Sequence, residues 1–79
     1  MTTAEVQRTL DCKGLLCPLP VYKASQVLNR MSAGELLRIE CTDPGSRADF
    51  PALARQRGDT LISASEQGDV QVFVIRKGK

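Results

Sequence analysis

In this 79-residue chain, one cysteine stands between Gly14-Leu15-Leu16 and Pro18-Leu19-Pro20, and its setting is the strongest sign of chemistry. Cys17 follows a short turn and directly precedes two prolines, and a helix-like stretch runs from about Leu19 to Met31. Proline is accepted in the first turn of a helix, where its missing N–H would have had no intrahelical partner. Pro18 and Pro20 therefore mark a helix start, with Cys17 at or just before the N-cap. There a thiolate meets the positive end of the helix dipole, which favours the charged form over the thiol. Pro18 also pushes the residue before it toward extended geometry, which keeps Cys17 out of the helix proper and near the surface. The amides of Leu19 and Val21 are then free to face a charge at the helix start. That setting suits a nucleophile. The other reading of the same residue is a small, inert side chain in a proline-stiffened turn.

The remaining polar and sulfur residues narrow the chemistry. Three cysteines and no histidine argue against a disulfide framework, because the count is odd. A zinc site would use Cys-x-x-Cys pairs or histidine, and the chain has neither. A papain-like Cys–His pair is excluded as well. Activation of Cys17 must then come from backbone dipoles, nearby cations or a partner protein. Cys12 lies five residues earlier, at the predicted end of a strand, and has two readings. It is a resolving thiol for Cys17, or it faces the core beside Leu10, and the second is favoured. Cys41 alternates in phase with Leu37 and Ile39, which points to burial. Asp11 and Lys13 suit a turn, and Lys13 is also placed to stabilise a Cys17 anion. Arg47, Arg55 and Arg57 read as a solvated helix face, a docking patch for an acidic partner.

The elements that must position these residues follow from hydrophobic period. Val6 to Cys12 alternates, with Val6, Leu10 and Cys12 on one face, and predicts a first strand ended by Lys13-Gly14. Val21, Ala24, Val27, Leu28 and Met31 form a helical stripe, with Lys23, Gln26, Asn29 and Arg30 turned to water. Ser32-Ala33-Gly34 ends that helix. Leu36 to Thr42 predicts a second strand, broken by Asp43-Pro44-Gly45-Ser46. A second helix runs to about Arg57, burying Phe50, Leu53 and Ala54, with Gly58 as its stop. Its start has two candidates, Ser46 with Asp49 as a capping box or Asp49 as the N-cap. The second leaves Pro51 where proline is allowed. Thr60 to Glu66 and Val70 to Arg76 complete the set, joined through Gln67-Gly68-Asp69. The expected fold is α+β: a two-layer sandwich in βαβαββ order, its four-stranded mixed sheet carrying both helices on one face. Residues 1–79 read as a single domain, with 1–5 flexible.

Composition excludes other classes. A net charge of +2 with dispersed cations gives no electrostatic footprint for direct nucleic-acid binding. No apolar run approaches the ~20 residues that span a bilayer, and the N-terminus lacks a secretion signal. The expected location is the cytoplasm, where thiols stay reduced.

The segment Leu10-Asp11-Cys12-Lys13-Gly14-Leu15-Leu16-Cys17-Pro18-Leu19-Pro20 resembles the signature of the TusA/SirA sulfur-carrier family, with its Gly-Leu-x-Cys-Pro-x-Pro core. The resemblance continues through Asp43-Pro44, Asp49-Phe50-Pro51 and Phe73-Val74-Ile75-Arg76-Lys77-Gly78. It implies a βαβαββ sandwich that carries sulfur as a persulfide on Cys17, with no other cofactor. Implied partners are a donor protein, a cysteine desulfurase or rhodanese, and an acceptor sulfurtransferase; the free chain is expected to be a monomer. Implied destinations of the sulfur are transfer-RNA thiolation, cofactor biosynthesis or cytoplasmic sulfur oxidation. Leu16 and Leu19 depart from relatives that carry charged residues there. They either dock a hydrophobic partner surface or pack inward. Two other functions compete: a dithiol redox protein using Cys12 and Cys17, and a non-catalytic interaction module.

Overall fold

A computed structural model describes residues 6–78. The segment 1–5, read from sequence as flexible, lies outside the described residues. The elements are β1 (Val6–Cys12), α1 (Leu19–Asn29), β2 (Leu36–Cys41), α2 (Ser46–Arg57), β3 (Thr60–Gln67) and β4 (Val70–Arg76). They form one four-stranded sheet in the order β1-β2-β4-β3. β1 and β2 are parallel, with Leu10 opposite Ile39 and Cys12 opposite Cys41. β4 runs antiparallel to both of its neighbours. The α+β sandwich and the βαβαββ order are as expected.

The topology follows from two crossovers and one tight turn. β1-α1-β2 places its strands side by side, whereas β2-α2-β3 leaves one strand's width between them. β4 fills that space by folding back from β3 through Gly68-Asp69, flanked by the Gln67–Val70 pair. Gly68 has φ 62° while Asp69 keeps a negative φ, the pattern of a type II′ hairpin that matches the sheet's twist.

Both helices lie on one face and close a single core. α1 buries Pro20, Ala24 and Leu28 at four-residue spacing, and Met31 extends the stripe beyond the helix end. α2 buries Ser46, Phe50, Leu53 and Ala54. Of these, Ala24, Leu28, Met31, Phe50, Leu53 and Ala54 form one cluster with Leu37, Ile39 and Cys41 of β2 and Phe73 and Ile75 of β4. The Phe50 and Phe73 rings stack with centroids 4.9 Å apart.

Two boundaries differ from the expectation. α1 ends at Asn29, because Arg30 and Met31 donate to the carbonyls of Val27 and Leu28 in a tightened last turn. α2 begins at Ser46, with Gly45 as N-cap, so Asp49 is not the cap and Pro51 lies inside the helix. The first turn is closed by Ser46 N–H to Asp43, Arg47 N–H to Pro44 and Ala48 N–H to Gly45. Pro51 then removes one donor, the one that would have reached the Arg47 carbonyl. Burial of Phe50 and Leu53 on either side of it offsets that loss.

The C-terminus of α2 depends on Gly58, whose φ of 79° lies in the left-handed region. The Asp59 amide reaches back to the Ala54 carbonyl at 2.9 Å and completes the closure. No atom would obstruct a β-carbon at Gly58, so the penalty of Gly58→Ala is purely conformational. It is expected to lower stability by about 1–2 kcal/mol, seen as a reduced urea midpoint with an unchanged slope.

Candidate functional site

Parallel pairing of β1 and β2 brings their C-terminal ends to the same edge of the sheet, so the loops that leave them meet. The first loop is tied down before it reaches Cys17. Lys13 N–H donates to Asp11 Oδ1 at 2.9 Å, and Gly14 N–H donates to Thr42 Oγ1 at 2.9 Å. Gly14 needs its φ of 82° to make that approach. Cys17 N–H then donates to Asp43 Oδ2 at 2.8 Å. Asp43 lies just beyond β2 and also organises its own loop. Its Oδ1 accepts from Gly45 N–H at 3.2 Å, and its carbonyl accepts from Gln71 Nε2 at 2.9 Å.

The Cys17 side chain is exposed, and its Sγ donates to Asp49 Oδ2 at 3.1 Å. The thiol is held above its ordinary pKa, first by the hydrogen bond to Asp49, then by desolvation and by the charges of Asp49 and Asp43. A carboxylate facing a thiol disfavours a second negative charge beside it. Cys17 lies just before the N-cap, Pro18, as the sequence predicts, but the carboxylates outweigh the expected stabilisation of its thiolate. Two local features remove the support that was expected. The Leu19 amide is taken by the Leu16 carbonyl at 2.9 Å. Lys13, expected to support the anion, pairs instead with Asp11 and Glu40 at 3.1 and 2.8 Å.

A groove of ≈ 250 Å³ opens beside the sulfur between the start of α1 and one face of α2. Cys17, Pro18 and Val21 form one wall. Asp49, Ala52, Leu53 and Gln56 form the other, at the i, i+3, i+4, i+7 positions of a helix face. Leu16, Leu19 and Tyr22, chain neighbours of Cys17, Pro18 and Val21, are 69%, 48% and 63% exposed. The two leucines left open by the sequence thus face outward, and it is Leu15 that packs against the core.

Other sequence expectations divide. Cys12 is fully buried, and burial together with neighbouring Cys41 pushes its pKa up to about 11. The thiol opposite it across the sheet is Cys41, which burial likewise raises. The core reading of both is the one the structure supports. The arginine patch is not a single solvated face. Arg47 pairs with Glu66 across to β3. Arg57 is largely covered, pairs with Asp59 at 2.8 Å and donates to Ser25 and Asn29 of α1. Arg47 and Arg55 remain exposed, and Arg57 is the one of the three that leaves the expected face.

The residues that sequence reasoning missed are Asp43 and Asp49 as neighbours of the thiol. Both belong to segments that carry the family resemblance, 26 and 32 residues from Cys17. The signal that locates them is topological: an acid just after β2 must lie near a loop just after β1 once the two strands pair in parallel.

Comparison with known proteins follows this geometry. The model of the family described as Sulfurtransferase TusA matches residues 8–77. The chain is 45% identical over 74 residues to the sulfur carrier protein TusA of Allochromatium vinosum, covering 94% of this chain and 97% of that protein. Its fold is similar to the crystal structure of the SirA-like protein from Desulfitobacterium hafniense. That match has a TM-score of 0.82 and 25% sequence identity, and covers 92% of this chain and all of that one.

Proposed function

The chain belongs to the TusA family, and from that premise we propose that it is a sulfur carrier that holds sulfur as a persulfide on Cys17. The observation that carries this reading is the placement of one exposed sulfur where two loops meet, beside an open groove and an apolar rim. Such a sulfur can be reached by a cysteine on another protein.

The step is a redox-neutral exchange. Cys17 loses its proton and attacks the outer sulfur of a donor persulfide. A new S–S bond forms as the donor's S–S bond breaks, and the donor cysteine leaves as a thiolate that takes up a proton. The carrier then holds Cys17–S–SH and the donor is a free thiol. An acceptor cysteine reverses the roles by attacking the terminal sulfur. No cofactor enters this scheme.

The donor in this reading is a cysteine desulfurase or rhodanese and the acceptor a sulfurtransferase. The sulfur goes on to transfer-RNA thiolation, cofactor synthesis or sulfur oxidation. The chemistry needs a reduced thiol, and a reducing compartment such as the cytoplasm suits this reading. A dithiol role for Cys12 and Cys17 is less well supported, because Cys12 is sealed in the core with Cys41. The test is intact-mass measurement after incubation with a cysteine desulfurase and cysteine. Wild type and a Cys12→Ala variant are both expected to gain one sulfur, about 32 mass units, as a persulfide. No gain with any desulfurase or rhodanese would overturn the reading.

A further inference from the structure

Asp43 and Asp49 both flank Cys17, yet they are not equivalent. Both oxygens of Asp43 are occupied by amides, those of Cys17 and Gly45, so it serves as an anchor. Asp49 has the thiol as its sole hydrogen-bond partner among the described residues, and forms no ion pair there. Lys13 is committed to Asp11 and Glu40, Arg47 to Glu66 and Arg57 to Asp59. Lys23 of α1 and Arg55 of α2 pair with no carboxylate among the described residues, and neither reaches Asp49. Asp49 thus puts an unpaired anion at the mouth of a groove whose walls include Pro18, Val21 and Leu53. Lysine and arginine fit such a slot, laying an aliphatic stem on apolar surface while the charged head meets a carboxylate.

We propose that the groove receives a lysine or arginine side chain from the sulfur donor, its stem along Val21 and Leu53 and its cation on Asp49. This rests on the carrier reading above. The pairing takes the carboxylate away from the sulfur, and Cys17 becomes free to attack. Until then Asp49 keeps the thiol protonated, which protects an exposed cysteine from indiscriminate oxidation. A protein presenting a carboxylate at the same point is rejected by like-charge repulsion. Asp49 is therefore both the gate of the nucleophile and a determinant of which donor may load it. After loading, Sγ bears no hydrogen, so its own bond to Asp49 is lost. Once the terminal S–H gives up its proton, the resulting anion is repelled by both aspartates.

The test uses small disulfides in place of a donor, since exchange needs no persulfide. Cystamine carries ammonium groups, bis(2-hydroxyethyl) disulfide is neutral and dithiodiglycolate carries carboxylates. Each forms a mixed disulfide with Cys17 and releases one thiol. Each rate is divided by that reagent's rate toward a free cysteine derivative, which removes the difference in leaving thiols. So normalised, cystamine at low salt is expected to react about tenfold faster than the neutral reagent, and dithiodiglycolate slowest. The preference should collapse in 0.5 M salt, a condition of roughly 4 Å screening length. Asp49→Asn is expected to reduce the cation preference and to shift the pH–rate profile to lower pH. Each pKa unit of relaxation raises the thiolate fraction about tenfold, and lower basicity takes back about threefold of that in nucleophilicity. The neutral reagent should therefore gain about threefold per unit. Equal normalised rates for the three reagents in wild type would overturn the proposal without any variant. So would an unchanged preference and pH profile in a folded Asp49→Asn protein. A chain that prefers cystamine but never loads sulfur would sink the carrier reading and leave the groove assignment standing. A chain that loads sulfur without the preference would do the reverse.

Discussion

Cys17→Ser is expected to abolish sulfur loading while leaving the fold in place. The hydroxyl can still donate to Asp49, and the backbone N–H to Asp43 is untouched, so the loop keeps both of its anchors. What disappears is the atom that can form a sulfur–sulfur bond. A serine hydroxyl has no neighbouring base strong enough to activate it, because the chain has no histidine and the adjacent group is a carboxylate. The mass gain seen in wild type should fall to background. Stability should change by no more than about 0.5 kcal/mol, as for other exposed positions. Urea unfolding beside the mass measurement separates the two effects. A serine variant that still gained sulfur would move the carrier role to Cys12 or Cys41, both of which are buried.

Phe50→Ala is the substitution expected to damage the fold most. The ring is fully buried in α2 and stacks on Phe73 of β4, so it joins the helix layer to the centre of the sheet. Removing a buried phenylalanine costs about 3–5 kcal/mol, from lost burial and the cavity left behind. A domain of this length has roughly 4–12 kcal/mol in total. The melting temperature should fall by more than about 10 °C, since domains of this size lose about 4–8 °C per kcal/mol. A circular-dichroism melt reads this directly, and a shift of only two or three degrees would show that the core repacks around the gap. Loading should weaken as well, because Asp49 is the residue next to Phe50 and its position depends on how α2 sits.

The order of elements was legible because each one carries its own period. Leu37, Ile39 and Cys41 alternate as a strand does, and Ala24, Leu28 and Met31 recur as a helix does. Local turn chemistry at Gly58 and Gly68 was legible for the same reason. The start of α2 was not, since a proline six residues beyond Gly45 argues locally against a helix that tertiary burial of Phe50 sustains. Cys17 stood out from its flanking prolines. The sign of its electrostatics did not, because it is set by two carboxylates brought in through space. A local reading sees a helix dipole and a lysine. The folded chain turns the lysine toward Glu40 and replaces it with Asp49.

The parallel pairing of β1 and β2 has a consequence for traffic through the carrier. It gathers the reactive loop, its anchor and the groove at one rim of the sheet. On the carrier reading proposed above, a giver and a taker of sulfur are therefore expected to compete for the same ground. Delivery is then a shuttle with alternating passengers, in which a surplus of the taker slows refilling by standing in the giver's place.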